Sequence, residues 1–197
     1  MSDESTAIRR PPPTARREAA VDAFVDLLLE GRTPRPEEVA DRAGVSMATL
    51  YRYFTSLDEL RHDAMVRVLE RFPHLLTVPQ IGVGSRQQRI RRFVKARLDL
   101  HETLHPLALL QRASAFGDVG AATMVTNSRT LMADQIRLHF DDELRTLPPA
   151  RREGTILALE MLTSVESWQS FRVSHDQTVA RTRRAWTDAV DQLLPTP

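Results

Sequence analysis

The chain has 197 residues and no cysteine, which excludes disulfides and thiolate metal sites and suits a cytosolic setting. Lysine is nearly absent as well: of 27 basic side chains only Lys95 is one. No stretch approaches the roughly 18 consecutive apolar residues of a membrane span. The opening Met-Ser-Asp-Glu-Ser-Thr lacks the apolar run of a secretory leader. We therefore expect a cytoplasmic protein with no membrane partner. Bulk basicity is missing too. The net charge is +1, and residues 1–60 hold eleven acids against eight arginines. Any nucleic-acid contact must come from local arrangement of charge. Strand-like alternation, hairpin signals and internal repeats are likewise absent. What remains is a chain with 42% apolar content, enough to bury a core in one or two small domains.

Apolar residues recur at helical spacing almost throughout, and the spacing predicts an all-α protein of about nine helices. The first runs from Thr14 to about Glu30, with Ala20, Phe24, Leu27 and Leu28 on one stripe and Gly31 at its end. The segment Thr77–Ser85, with Pro79, Gly82 and Gly84, is the clearest break. Beyond it, helices are expected near 86–105, 106–116, 119–140, 149–173 and 174–194. Pro106 would end one of them, and Ser174 with Gln177 would cap the last.

Residues 36–60 carry the most information. Pro36 suits the first turn of a short helix, and Glu37 and Glu38 suit its positive end. Val39, Ala40 and Ala43 form an inward face, small enough at Ala40 for a second helix to approach. Gly44 favours the left-handed conformation that closes a helix, and Val45 is the apolar plug of the turn. Ser46 is an N-cap for a second short helix, held inward by Leu50 with Ala48 or Phe54. Its outward residues are Met47, Thr49, Tyr51, Arg52 and Tyr53. Ser56 and Glu59 then open a long helix reaching about Phe72. A helix, a Gly-centred turn and an outward-aimed helix fit the major groove of DNA. Hydroxyls on Ser46, Thr49, Tyr51 and Tyr53 suit phosphate oxygens, Arg52 adds charge or a bidentate contact, and Met47 and Ala48 suit base edges. Upstream, Arg9, Arg10, Arg16 and Arg17 flank Pro11-Pro12-Pro13. Residues 1–13 read either as a basic arm lying along a groove or as a disordered tail.

These residues resemble the TetR family of bacterial transcription regulators. The resemblance rests on Ala40, Ala43-Gly44-Val45-Ser46, Thr49-Leu50-Tyr51-Arg52-Tyr53-Phe54 and Ser56 through Leu60. It covers about 14–72 by motif and the rest by architecture only. Leu57 stands where members often carry a lysine that touches phosphate, so that one contact is not expected. The resemblance implies a helix-turn-helix DNA-binding domain at 14–60 and an effector-binding and dimerisation domain at 61–197, connected by helix 57–72. It implies no catalysis, no cofactor and no resident metal. The expected function is a homodimeric repressor that releases a palindromic double-stranded operator when a small molecule binds.

Under that architecture the middle helices enclose an effector cavity. Candidate lining residues are Phe93, Leu100, Leu104, His105, Phe116, Met124 and Trp168, which suit a lipophilic or aromatic effector. The last two predicted helices are apolar over a wide arc, which calls for partners on two sides. Leu162, Val165, Trp186, Val190 and Leu193 are the expected dimer contacts.

Two further patterns compete. His101-Glu102-Thr103-Leu104-His105 matches H-E-x-x-H, whose histidines share a helix face at i, i+4 with a glutamate placed as general base. The alternative functions are thus a zinc hydrolase on His101, Glu102 and His105, or a helical ligand-binding protein with no DNA role. Against the hydrolase, Pro106 follows directly and no third ligand lies at a suitable spacing. The second pattern, Arg86, Arg89, Arg91, Arg92, Lys95 and Arg97, suggests a second nucleic-acid patch, but it circles its helix instead of lining one face and so reads as a solvated helix start beside the acidic residues of another element.

Overall fold

The computed structural model describes residues 13–196. Among them are ten α-helices, a 3-10 turn at Pro73–Leu75, a π turn at Ser170–Ser174, and no strand. They fall into two compact units that divide between Arg71 and Phe72.

The first unit holds α1 (Pro13–Leu29), α2 (Pro36–Arg42), α3 (Met47–Tyr53) and α4 (Leu57–Arg71). The α1 stripe predicted from spacing is buried at Ala20, Phe24, Leu27 and Leu28, as are Val39, Ala40, Leu50, Phe54, Leu60, Ala64 and Val68 of the elements that follow. Each large apolar side chain so buried contributes about 1.5–3 kcal/mol. Charges run alongside that seam, with Asp22 to Arg67 and Asp26 to Arg71 pairing α1 with α4. The α4 helix starts as its sequence suggests. Ser56 Oγ accepts the Glu59 N–H at 3.1 Å, while the Glu59 carboxylate reaches back to the Thr55 N–H at 2.7 Å.

The second unit holds α5 (Arg86–Ser114), α6 (Val119–His139), α7 (Asp141–Leu144), α8 (Pro149–Leu162), α9 (Val165–Gln169) and α10 (Val179–Leu193). Three expected boundaries differ. Pro106 lies inside α5 and does not end it, with buried Leu104 and Leu107 pinning the helix on either side. The single helix expected at 149–173 divides, because Ser164 Oγ accepts the Ser167 N–H and starts a new one. The last helix begins at Thr178, whose side chain accepts the Arg181 N–H, and not at Ser174. The left-handed φ of 47° at Asp176 separates the two positions.

Residues 76–85 lack regular structure but are firmly held. On α6, Gln135 accepts the Val78 N–H and donates to the Leu76 carbonyl. One turn later, His139 Nδ1 accepts the Gly82 N–H at 3.2 Å and Nε2 donates to the Arg89 carbonyl at 3.0 Å. Arg92 adds bonds to the carbonyls of Gln80 and Val83. The basic start of α5 does lie beside acids of other elements, but it is solvated only at Arg91 and Lys95. Arg89 is buried on Glu143, Arg86 ties to Asp191 on α10, and Arg97 is sealed in the interior.

Candidate nucleic-acid interface

The turn between α2 and α3 is built from backbone. Gly44 adopts φ 65°, its N–H bonds to the Asp41 carbonyl, and the Val45 N–H bonds to the Ala40 carbonyl. This pair of bonds satisfies the last carbonyls of α2 and requires the left-handed residue that glycine supplies without a Cβ clash. Ser46 follows in extended conformation, and its Oγ accepts the Thr49 N–H at 3.2 Å. Ser46 and Thr49 also share a side-chain hydrogen bond of 2.9 Å. Leu50 and the capping residue Phe54 anchor α3 inward.

Ser46, Ala48, Tyr51 and Arg52 are exposed, and Met47 and Thr49 are half-buried. Tyr51 is 55% exposed, which is much for an aromatic ring. Tyr53 differs from the expectation. Its hydroxyl is buried and has no hydrogen-bond partner among the described residues. Three positions after Leu50, it falls on the inward stripe of the helix.

Charge pairing divides the arginines of this unit. Arg32, Arg42, Arg61, Arg67 and Arg71 each hold an acidic side chain. Arg17, expected to face DNA, pairs with Asp63 and Glu59, and its guanidinium lies 4.9 Å from the Phe54 ring centroid. It serves the packing of α1 on α4. Among the described residues this leaves Arg16, Arg35 and Arg52 without an acidic partner. Sequence reasoning missed Arg35, because pairing between helices is not written in residue spacing. The arm call on residues 1–13, with Arg9 and Arg10, falls on residues 1–12 outside the described ones, apart from Pro13.

The H-E-x-x-H residues are fully engaged elsewhere. His101 is buried, and its Nε2 donates to the Thr163 carbonyl at 2.9 Å. Burial, aided by Arg97 and Arg112, lowers its pKa to about 4. Trp168 Nε1 and Arg172 Nε both donate to Glu102. Burial pushes the Glu102 carboxyl up, but these two donors outweigh it and hold the group below its ordinary range. His105 bonds to the His101 carbonyl and stacks on Trp168 at 4.3 Å between centroids. No group of three or more potential metal ligands occurs among the described residues.

The candidate effector residues are not gathered on one wall. Phe93 sits in the core against Phe140, and Leu100, Leu104 and Trp168 are buried, with His105 and Met124 half-buried. Phe116 is 97% exposed at the turn between α5 and α6, where an open groove runs past Val119 and Asn127. A turn residue need not face the core, whatever its polarity. The candidate dimer residues are corrected likewise. Val165, Trp186 and Val190 belong to the core of their own unit, and Leu162 is half-buried against it. Leu193 is exposed, together with Leu157 and Met161 one turn apart on α8. Periodicity gave an apolar arc but not which part of it the chain itself covers.

Residues 37–64 match the family model described as bacterial regulatory proteins, tetR family. The chain is 31% identical over 121 residues to the HTH-type transcriptional repressor KstR of Mycolicibacterium smegmatis, a match covering 59% of each protein. It thus spans little more than half the length of that relative. Among solved structures, a tetR-family transcriptional regulator from Streptomyces coelicolor superposes with a TM-score of 0.71 at 23% identity, over 91% of this chain and 79% of that one. A TetR transcriptional regulator from Rhodococcus sp. RHA1 gives 0.55 at 23% identity, over 92% and 96%. At these identities the structures show the same fold.

Proposed function

We propose that this chain is a regulator of the TetR family, a cytoplasmic repressor that binds double-stranded operator DNA as a homodimer and releases it when a small molecule binds. The observation that carries the reading is the α3 surface. A seven-residue helix anchored by Leu50 leaves Tyr51, Arg52, Ser46 and Ala48 in solvent, and Arg52 has no acidic partner among the described residues. Tyr51 and the Ser46 hydroxyl suit phosphate, Met47 and Ala48 suit base edges, and Arg16, Arg35 and Arg52 supply the charge. The division into a reading domain at 14–60 and an effector and dimerisation domain at 61–197 belongs to the same proposal, as does the arm at 1–13.

Dimerisation follows from specificity. One short helix reads too few base pairs, and a two-fold pair doubles them on a palindrome. Leu157 and Met161 on α8 and Leu193 on α10 are exposed apolar side chains that would serve it. Effector binding acts on DNA only through a difference in its affinity for the DNA-competent and released states, a coupling of about 1–3 kcal/mol in typical cases.

Regulators of this family are not enzymes, and each H-E-x-x-H side chain has a structural partner. Among the described residues no helix is long and apolar enough to cross a membrane. Selection of genomic fragments with the purified chain tests the proposal. Recovery of a shared inverted repeat is the expected outcome. A chain that retains no fragment at low ionic strength would leave a helical ligand-binding protein in its place.

A further inference from the structure

Burying an ion without a counter-ion costs several kcal/mol or more, and folds avoid it. This one manages the problem directly at Arg89, which is buried against Glu143. Arg97, two turns further along α5, is treated differently. It is 2% exposed, yet among the described residues its guanidinium meets only neutral groups: the Met132 carbonyl at 3.2 Å, the Gln135 amide oxygen at 3.5 Å and the Phe93 ring at 5.0 Å. Burial lowers its pKa to about 10, which still leaves it charged at neutral pH. Glu160 on α8 is 9% exposed, and among the described residues it accepts no hydrogen bond and touches no cation. Burial raises its pKa, and it feels Arg97, Arg112 and Arg129 through space without an ion pair to any of them. Close by, Arg112 and Arg129 share the single carboxylate of Glu166. Three guanidiniums thus stand against two carboxylates, one of them shifted by burial toward its neutral form. His101, held neutral, adds no charge. The neighbourhood is short of negative charge, and its walls include Phe93, Ile156 and Leu159.

We propose that Arg97 and Glu160 form the polar end of an effector site between α5, α6 and α8 that takes a lipophilic carboxylic acid. The effector's carboxylate bonds to the Arg97 guanidinium, which prefers that planar partner. Glu160, whose carboxyl burial shifts toward its neutral form, lies beside that carboxylate, and the hydrocarbon or aryl body lies among the apolar side chains. This rests on reading the second unit as effector-binding and names the effector's class.

The test is thermal unfolding of the full chain, without DNA, in octanoate, dodecanoate and phenylacetate and in the matching octanol, dodecanol and phenethyl alcohol. At least one acid should raise the melting temperature with concentration while its alcohol does not. Arg97→Met should weaken that acid at least ~10-fold, the scale of one charge-assisted hydrogen bond. Without ligand the variant should melt no lower than the wild type, since an unpaired buried charge is gone. Glu160→Gln, which carries no charge, should keep the acid shift. Should Arg97→Met not fold, Arg97→Lys serves, and it should bind the acid more weakly than the wild type through loss of the bidentate geometry. The proposal is overturned if no acid shifts the wild type, if acid and alcohol act alike, or if the Arg97 variant that folds binds the acid undiminished. A chain that binds DNA but ignores the acids sinks only this inference. One that binds the acids but no duplex sinks only the DNA reading.

Discussion

Ser46–Tyr53 and His101–His105 both set polar side chains along a helix at spacings that suit a partner. In the first segment the fold spends Leu50 and Phe54 on anchoring and leaves Tyr51, Arg52 and Ala48 in solvent. In the second, every motif residue is used internally: His101 on the Thr163 carbonyl, Glu102 between Trp168 and Arg172, and His105 on the Trp168 ring. The difference lies in what surrounds each helix. α3 is short and packs on one side only, whereas the middle of α5 is enclosed by α9, α10 and, through Arg172 on Glu102, the π turn at Ser170–Ser174. Spacing shows that side chains share a face; enclosure decides whether that face is free to bind.

The sharpest way to break this contrast is through pH. His101 has a folded pKa of about 4 against an ordinary 6.5, so on acidification the unfolded chain takes up the proton first. The stability gained by burying the neutral ring is whole above about pH 6.5 and is lost as pH falls toward 4, on the order of 3 kcal/mol in all. Urea unfolding between these limits should show that loss for the wild type and a flatter profile for His101→Gln. An unchanged profile would mean that the ring is not sealed as described.

Next in size is the division among the arginines. Arg35→Ala and Arg52→Ala should each weaken duplex binding by about 1–3 kcal/mol and reduce the salt slope by about 0.9 per lost phosphate contact. Arg17→Ala should lower the melting temperature of the first unit and leave the salt slope unchanged. If Arg17 alters the slope while Arg35 does not, the pairing argument fails. Smaller again is Ser46→Ala, expected to cost about 1 kcal/mol of stability as one helix cap is lost. Smallest of all, zinc or a chelator should change neither melting temperature nor DNA affinity, because the histidine pair is occupied; a zinc-dependent shift would reopen the hydrolase reading.

Much of the fold could be read from sequence because its signals are local. Gly44 and Ser46 dictate the turn, Ser56 and Glu59 start α4, and the stripe from Ala20 to Leu28 is the face that α1 buries. What escaped depends on contacts distant in sequence. Pro106 stays helical because neighbours on both sides are buried, and Gln135 with His139 turns an apparent linker into a fastened segment. Trp186 and Val190 appeared free for a second subunit only because the core that covers them comes from α5 and α8. In the reading surface, exposure at Tyr51 and Arg52 followed from the helical repeat. The inward turn of Tyr53 was missed: the reading placed it outward, although three positions after Leu50 it lies on the buried stripe. The availability of Arg35 did not, since it depends on which acids other helices offer.

The most direct measurement compares wild type, Tyr51→Ala and Met47→Ala, each folded, for binding to a selected duplex and to a scrambled one at the same ionic strength. The account predicts that Tyr51→Ala weakens both complexes by about tenfold or more, as loss of a phosphate-side contact should, while Met47→Ala changes the ratio between them. Full affinity and an unaltered ratio in both variants would contradict it.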